Sequence, residues 1–160
     1  MMKLKKGFTL IELLVVIGII GILAAIVLIA VNPGRQFAQA RDTQRLSDLR
    51  AITDSIYQFA AEHNGDLPDT DGDDATTNFP VVVTCIGTGA ACFNLGTASD
   101  VAGPLASPPI RIVPTYVAAI PMDPSTGDAA DTGYTIYQNT NGRLVASASG
   151  ELTPSISVER

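Results

Sequence analysis

The N-terminal 64 residues are divided by their hydrophobic pattern into an apolar stretch and an amphipathic stretch. Residues 13–31 contain no charged residue and no proline. At 1.5 Å per residue, a helix of these 19 residues spans about 28 Å, close to the hydrocarbon core of a bilayer, which is about 30 Å thick. The pattern therefore predicts a membrane-spanning helix within a hydrophobic segment at residues 8–34.

Residues 35–64 continue with the spacing of an amphipathic helix. Apolar side chains recur every three or four positions and so share one face of a helix. They are Leu46, Leu49, Ile52, Ile56 and Phe59. Arg41 and Arg45 fall largely off this face, and Gly65 is placed to end the helix. We therefore expect one long helix whose second half packs on a globular head.

The remaining residues, 65–160, predict a head made of loops and strands. A loop-rich region extends to about residue 110. Three strand-like segments follow, at residues 133–138, 143–148 and 155–158. The first two flank Asn141-Gly142, a dipeptide typical of the type I′ turn of a β-hairpin. The head is therefore predicted to pack a small antiparallel sheet of three strands on the apolar helix face, and the fold class is α+β.

Charge is distributed unevenly between the two parts. Residues 1–65 carry seven basic and five acidic side chains, whereas residues 66–160 carry three arginines and eleven acidic side chains. The acidic head argues against nucleic acid as a partner, because phosphate binding needs clustered Lys and Arg. One His and two Cys argue against a histidine-based triad, a histidine-rich metal site and a zinc finger. These counts favour a protein that is not an enzyme.

Basic residues around the apolar stretch predict its orientation. Lys3, Lys5 and Lys6 precede it and Arg35 follows it, so the positive-inside rule places the N-terminus in the cytoplasm and the head outside. A cleaved secretory signal peptide would have a shorter apolar region, of about 7–15 residues, and a better cleavage site than residues 30–32 offer. An uncleaved membrane anchor fits the length and the flanking charges of the stretch.

Glu12 is the residue that a plain membrane anchor leaves unexplained. A carboxylate at the edge of an apolar span is costly unless it has a partner, and the segment contains no Lys or Arg to provide one. A cut after Gly7 would give Phe8 a new α-ammonium group four residues before Glu12. The two charges could then neutralise each other, within one chain or between neighbouring chains.

These residues form a recognisable motif. The segment KKGFTLIEL, at residues 5–13, resembles the processing site of type IV pilins and type II secretion pseudopilins, the class III prepilin-type signal. The resemblance implies that residues 1–7 are a leader, that a prepilin peptidase cuts after Gly7, and that the new N-terminal residue, Phe8, is N-methylated. It also implies a pilin fold, in which Glu12 pairs with the terminal amine of a neighbouring subunit and sets the register of assembly.

The same resemblance implies a structural role. The chain would be a filament subunit that polymerises into a helical homo-oligomer, with a pilus assembly ATPase and a platform membrane protein as partners. Its precursor would wait in the cytoplasmic membrane, and the assembled form would be an extracellular pilus. A type II secretion pseudopilin in a periplasmic pseudopilus is one alternative. A single-pass anchored binding module that does not polymerise is an alternative of another class.

Two further features of the head are a pair of cysteines and two acidic loops. We expect no cofactor, and a structural calcium ion is the alternative. Cys85 and Cys92 are predicted to form a disulfide, the default for a lone pair of cysteines outside the cell. Four carboxylates within six residues could surround Ca²⁺, although their spacing fails the EF-hand pattern and a solvated loop is the commoner explanation. They are Asp69, Asp71, Asp73 and Asp74. A second, more dispersed acidic loop holds Asp123, Asp128 and Asp131, in a region where the major pseudopilins that the chain resembles bind calcium.

Overall fold

A computed structural model describes residues 7–70, 78–99 and 110–160. The chain divides into two compact units, an N-terminal unit, Met1–Phe37, and a C-terminal unit, Ala38–Arg160. The description below takes each unit by itself.

The N-terminal unit is dominated by helix α1, Leu10–Val31. In the described part of the chain, it is the helix that is long and apolar enough to cross a membrane. None of its residues is buried within the protein. An apolar surface of this extent needs lipid or other protein chains to cover it. The length and composition of α1 are those that the sequence predicts for a membrane-spanning segment.

Asn32 separates α1 from the next helix, α2, Pro33–Glu62. Its backbone is left-handed, with φ 44° and ψ 79°, a conformation that Asn adopts more readily than most residues. Pro33 follows at the first helical position, where its missing N–H group costs nothing. The Asn32 backbone carbonyl accepts the N–H of Arg35 at 3.1 Å. The two halves of the expected long helix are therefore two helices that meet at Asn32.

The C-terminal unit contains a four-stranded antiparallel sheet in the order β1-β2-β3-β4. Its strands are β1, Thr84–Cys85, β2, Tyr134–Gln138, β3, Leu144–Ser149, and β4, Ser155–Glu159. The last three coincide with the three predicted strands. Strand β1 lies in the region that the sequence analysis assigned to loops, and it pairs with β2 through Thr84 opposite Ile136. It was missed because two residues are too few to show an alternating pattern.

The turn between β2 and β3 differs from the prediction. Gly142 has a positive φ of 78°, whereas Asn141 does not, and a type I′ turn needs a positive φ at both positions. The Gly142 N–H donates to the carbonyl of Asn139 at 2.9 Å. The Asn139 side-chain oxygen accepts the N–H groups of Asn141 at 3.0 Å and Arg143 at 2.9 Å. The type I′ prediction is therefore wrong, because the Asn139 side chain stabilises a longer loop in which Gly142 supplies the left-handed residue.

The core of the C-terminal unit lies between α2 and the sheet. The predicted apolar face of α2 is confirmed, with Leu49, Ile52, Ile56 and Phe59 buried. These side chains cluster with the inward residues of the sheet, Tyr134, Ile136, Leu144, Ala146, Ala148 and Ile156. The α+β fold class is therefore confirmed.

The loop-rich region adds a second part of the core that the sequence analysis did not predict. Its buried side chains are Phe79, Ile86, Phe93, Leu95, Ala98 and Ile112. The last of these begins a short helix, α3, Ile112–Thr115. They are scattered among Gly, Pro and small polar residues, so they show neither a helical nor a strand period.

The predicted disulfide joins Cys85 to Cys92 and closes a small loop at the end of β1. This loop lies directly against residues 128–131. The N–H of Gly89 donates to the carbonyl of Ala130 at 2.9 Å. At Gly87, an added Cβ would lie 2.2 Å from the same carbonyl oxygen, so the close approach of the two loops requires a glycine there.

Candidate functional site

The residues of the predicted processing site lie at the start of α1. Thr9 is the N-cap residue and has extended backbone angles, φ −81° and ψ 152°. Its hydroxyl oxygen accepts the N–H of Glu12 at 3.3 Å, and Glu12 Oε2 accepts the N–H of Thr9 at 2.8 Å and its hydroxyl at 2.7 Å. This reciprocal arrangement is a capping box, which satisfies two backbone donors at the helix start.

The capping box determines where Gly7 and Phe8 lie. Because the helix begins after Thr9, both residues precede it in exposed, non-helical chain. The Phe8 side chain is 88% exposed, and an added Cβ at Gly7 would meet no atom within 4 Å. Exposed chain outside regular structure is the form that proteases cut most readily. The Gly7–Phe8 peptide bond therefore lies in exposed chain outside α1, and cleavage at this bond stays a prediction.

Glu12 is exposed in the first turn of α1, and in the uncut chain its carboxylate is bonded to Thr9. Its predicted pairing with the amine of a processed subunit concerns a cut and assembled chain and stays a prediction. Among the described residues of the N-terminal unit, Glu12 does not contact a basic side chain. The hydrogen bonds of the capping box are therefore what stabilises its carboxylate there.

Residues 2–28 match the family described as the prokaryotic N-terminal methylation motif. The chain carries a class III prepilin-type signal. This signal supports a type IV pilin-like or pseudopilin-like protein, and it includes Gly7, Phe8 and Glu12 together with most of α1. The prepilin-type signal and the apolar helix together fit a membrane-anchored precursor. No solved structure matches the chain.

The first acidic loop lies mostly outside the residues that the structure describes. Asp71, Asp73 and Asp74 fall in residues 71–77, which are not described. The backbone of Asp69 is bonded to that of Ser99 in both directions, at 3.0 and 2.9 Å. The calcium prediction for this loop stays a prediction.

The carboxylates of the second acidic loop do not converge on one point. Asp128 Oδ1 accepts the N–H groups of Ala130 at 2.8 Å and Asp131 at 2.9 Å, and Asp131 Oδ1 accepts the N–H of Gly133 at 2.9 Å. Both side chains thus cap turns within their own loop. In the described residues, the group that brings three potential metal ligands together is Cys85, Cys92 and Asp131, and its two sulfur atoms are bonded to each other.

Asp123 instead belongs to an ion cluster that we call the Arg45 junction, made of Asp42, Arg45, Asp123, Ser125 and Glu151, in which Arg45 and Asp123 are buried and Ser125 and Glu151 lie at the surface. Arg45 is 2% exposed and Asp123 is 6% exposed. The guanidinium binds Asp123 through two bonds, Nε to Oδ2 at 2.6 Å and Nη2 to Oδ1 at 3.1 Å. It also donates to Asp42 at 2.7 Å, to Ser125 at 2.6 Å and to Glu151 at 3.2 Å. A bidentate Arg–carboxylate pair is among the strongest hydrogen-bonded ion pairs in proteins.

Asp42 links the same cluster to the turn between β3 and β4. Its carboxylate accepts the backbone N–H groups of Glu151 at 2.8 Å, Leu152 at 2.9 Å and Thr153 at 3.3 Å. These backbone bonds, with a smaller contribution from Arg45, lower the pKa of Asp42 to about 2. The Arg45 junction therefore holds α2, the loop after Pro121 and the turn after β3 together.

The pKa of Asp123 is also well below its usual range, because its bonds to the Arg45 guanidinium outweigh the effect of burial. We expect this to make the C-terminal unit sensitive to acid. A carboxyl group with a lowered pKa in the folded state stabilises that state above its unfolded pKa, about 4, and loses the contribution as the pH falls through the folded value. The unfolding temperature should be nearly constant from pH 8 to 5 and should fall steadily from about pH 4 to 2.

Thermal unfolding of the full-length protein in detergent, followed by circular dichroism from pH 8 to 2, would measure this dependence. Asp123→Asn should unfold at a lower temperature at pH 7 and should show a shallower fall in acid. Asp128→Asn is the matched control, because an asparagine oxygen can keep both turn-capping bonds of Asp128. The same acid dependence in wild type and in Asp123→Asn would contradict the role of this ion pair.

The Arg45 junction is the site that sequence reasoning missed. The helical period places Arg45 off the apolar face, and periodicity alone treats every charged residue as solvent-exposed. Two local signals point toward it: Asp42 precedes Arg45 by three positions, and Pro121 and Pro124 rigidify the chain around Asp123. Neither signal reveals which distant residues meet.

Proposed function

We propose that this protein is the structural subunit, or pilin, of a type IV pilus or pilus-like extracellular filament. The observation that carries the proposal is the prepilin-type signal at residues 2–28, placed on a chain whose Gly7–Phe8 bond lies outside α1. The signal belongs to structural subunits rather than enzymes, and we propose no enzymatic activity for the chain.

Cleavage after Gly7 by a prepilin peptidase creates the amine of Phe8, which the same processing system N-methylates. The new positive charge would lie close to Glu12, whose carboxylate, among the described residues, is bonded to Thr9 before the cut. An ion pair in an apolar surrounding is stronger than one in water. The amine of a neighbouring subunit can therefore replace Thr9 as the partner of Glu12 and fix the register of assembly.

The surface of α1 supports polymerisation through this helix. All of its apolar side chains are exposed in the single chain. Added Cβ atoms at Gly18 and Gly21 would meet nothing within 4 Å, so neither glycine is required by contacts within the described chain. Small residues on membrane helices allow close approach of another helix, which is the contact that a filament core provides.

The proposed life cycle begins in the cytoplasmic membrane. Lys3, Lys5 and Lys6 keep the N-terminus in the cytoplasm, and α1 spans the bilayer. A pilus assembly ATPase and a platform membrane protein would then move the processed subunit into a helical homo-oligomer on the cell surface. Neither step uses a catalytic residue of this chain.

A type II secretion pseudopilin is the second candidate, since the prepilin-type signal is common to pilins and pseudopilins. The bend made by Pro121 and Pro124 around Asp123 favours it, because related heads often carry a Pro-x-Asp-Pro step. In that case the filament would stay short and periplasmic.

Intact mass and N-terminal peptide analysis of protein sheared from the cell surface would test the proposal. A chain that begins at N-methylated Phe8 and is recovered in the sheared fraction is the expected result. The same terminus found only in membranes would favour the pseudopilin. A chain that begins at Met1 or is cut near Val31 would overturn both and would favour an anchored or secreted module that does not polymerise.

A further inference from the structure

The oxygen atoms of the Arg45 junction surround a single cationic group. One guanidinium contacts carboxylates of Asp42, Asp123 and Glu151 and the hydroxyl of Ser125. Carboxylate and hydroxyl oxygens that converge on one positive centre are the kind of donor set that Ca²⁺ uses in proteins. In this chain the positive centre is a side chain.

We propose that Arg45 is the built-in cation of the loop at residues 121–133, and that the C-terminal unit folds without a metal ion at this loop. This inference goes beyond the proposed function, since a pilin and a pseudopilin could each close the loop in this way. It replaces the calcium site that the acidic composition of the loop suggested.

The bonds of Asp123 carry the first step of the argument. Arg45 binds both of its carboxylate oxygens, and Oδ1 also accepts the N–H of Ser125 at 2.8 Å, the hydroxyl of Ser125 at 2.8 Å and the N–H of Thr126 at 3.0 Å. Oδ1 therefore has no lone pair left for a metal ion, and Oδ2 is already bound to the guanidinium. An ion bound to Asp123 would also lie close to the guanidinium and be repelled by it.

The placement of the other acidic side chains carries the second step. Asp128 and Asp131 are exposed, and each accepts N–H bonds within its own turn rather than facing Asp123. Calcium usually takes six to eight oxygen ligands. In the described part of this loop, the carboxylates therefore fit a guanidinium partner and do not form a calcium cage.

The balance of charge carries the third step. Asp42, Asp123 and Glu151 contribute three negative charges, and Arg41 and Arg45 contribute two positive charges, because Arg41 also binds Glu151 at 2.5 Å. Loss of Arg45 would leave one positive charge against three negative charges. The buried Asp123 would then lose the one cationic partner that it has among the described residues, a strongly unfavourable change.

Thermal unfolding of the full-length protein in detergent tests the proposal, with Arg45→Met compared with Arg50→Met. Arg50 lies on the same helix and is exposed, so it is the matched control. Wild type should unfold within about 1 °C of the same temperature in EDTA and in millimolar CaCl₂. Arg45→Met should unfold about 10 °C lower, as expected for the loss of one partner of a buried ion pair, and Arg50→Met should resemble wild type.

Arg45→Lys separates the effect of the positive charge from the effect of the bidentate hydrogen bonds. Lysine keeps the charge but cannot form the bidentate pair. It should unfold between wild type and Arg45→Met. Hydrogen exchange should rise at residues 121–133 and 150–153 in Arg45→Met, since both segments are held by the Arg45 junction. If Arg45→Met does not fold, the wild-type comparison in EDTA and CaCl₂ and the Arg45→Lys variant decide the question.

Three results would overturn the proposal. The first is a wild-type protein that loses several degrees in EDTA and regains them with CaCl₂, with hydrogen exchange at residues 121–133 rising in EDTA; a rise confined to the first acidic loop would assign the ion to that loop instead. The second is an Arg45→Met variant that unfolds at the wild-type temperature. The third is an Arg45→Lys variant that is as unstable as Arg45→Met, which would mean that the positive charge does not hold the loop.

Discussion

Glu12→Ala is expected to leave the precursor in the membrane and still cut after Gly7, while the amount of subunit in the sheared filament fraction falls by at least about 100-fold. The reason is that each assembled subunit would bury the amine of Phe8 without a carboxylate partner. Insertion itself should not suffer, because removing a carboxylate makes the apolar segment easier to insert. Immunoblots of sheared and membrane fractions, with N-terminal mass analysis, measure both quantities.

Glu12→Gln is the decisive control for this prediction. Glutamine can keep the capping box with Thr9, since a capping box accepts either Glu or Gln at this position, but it cannot carry the charge. We expect Glu12→Gln to fail in assembly as completely as Glu12→Ala. Wild-type filament yield from Glu12→Gln would mean that Glu12 matters only as a helix cap, and the proposed pairing with the Phe8 amine would be wrong.

Gly7→Val is expected to abolish processing, so that the whole population keeps the mass of the uncut chain and no filament forms. Contacts among the described residues do not require a glycine at this position, because an added Cβ meets nothing within 4 Å. A requirement for Gly7 would therefore come from a partner that binds this segment, which under the proposed function is the prepilin peptidase. Intact mass of the membrane fraction measures the result directly.

Gly34→Ala is the matched control for Gly7→Val. Gly34 lies in the first turn of α2, where an added Cβ would make an ordinary contact of 3.6 Å with Asn32. The control should be processed like wild type. Cleavage of Gly7→Val at the wild-type rate would remove the peptidase site from residues 7 and 8.

The N-terminal unit could be predicted from sequence because its signals are local. A 22-residue apolar helix, a threonine cap and a glutamate three positions later all lie within one continuous segment. The interruption at Asn32 was not predicted. Pro33 marks the place, but whether a proline bends a helix or starts a new one depends on the residue before it, and Asn32 adopts the left-handed conformation that permits a new start.

The sheet of the C-terminal unit could be predicted for a similar reason. Alternation of apolar and polar residues identified β2, β3 and β4 from six or fewer residues each. The loop-derived part of the core, with Phe79 and Phe93 in edge-to-face contact, follows no period and could not be found in this way. Its side chains are positioned by long-range contacts and by the disulfide rather than by regular structure.

Arg45 shows the limit of pattern reasoning most clearly. A polar residue on a helix is predicted to face solvent. It can be buried only where residues from elsewhere in the chain supply hydrogen-bond or ion-pair partners. Asp123 is 78 positions away from Arg45 and Glu151 is 106 positions away. A single sequence offers no means of pairing residues at that distance.

The same separations determine when the C-terminal unit can fold. Asp42 and Arg45 find their partners in the turn after β3 106 to 111 positions later. Contacts of such high sequence separation form slowly and late, and they cannot form before the partner has been synthesised. A chain that stops at Gly150 keeps its whole prepilin-type signal but lacks Glu151 and β4. The prepilin-type signal at residues 2–28 and the contacts that complete the fold of the C-terminal unit, at residues 151–159, are thus separated by more than a hundred residues.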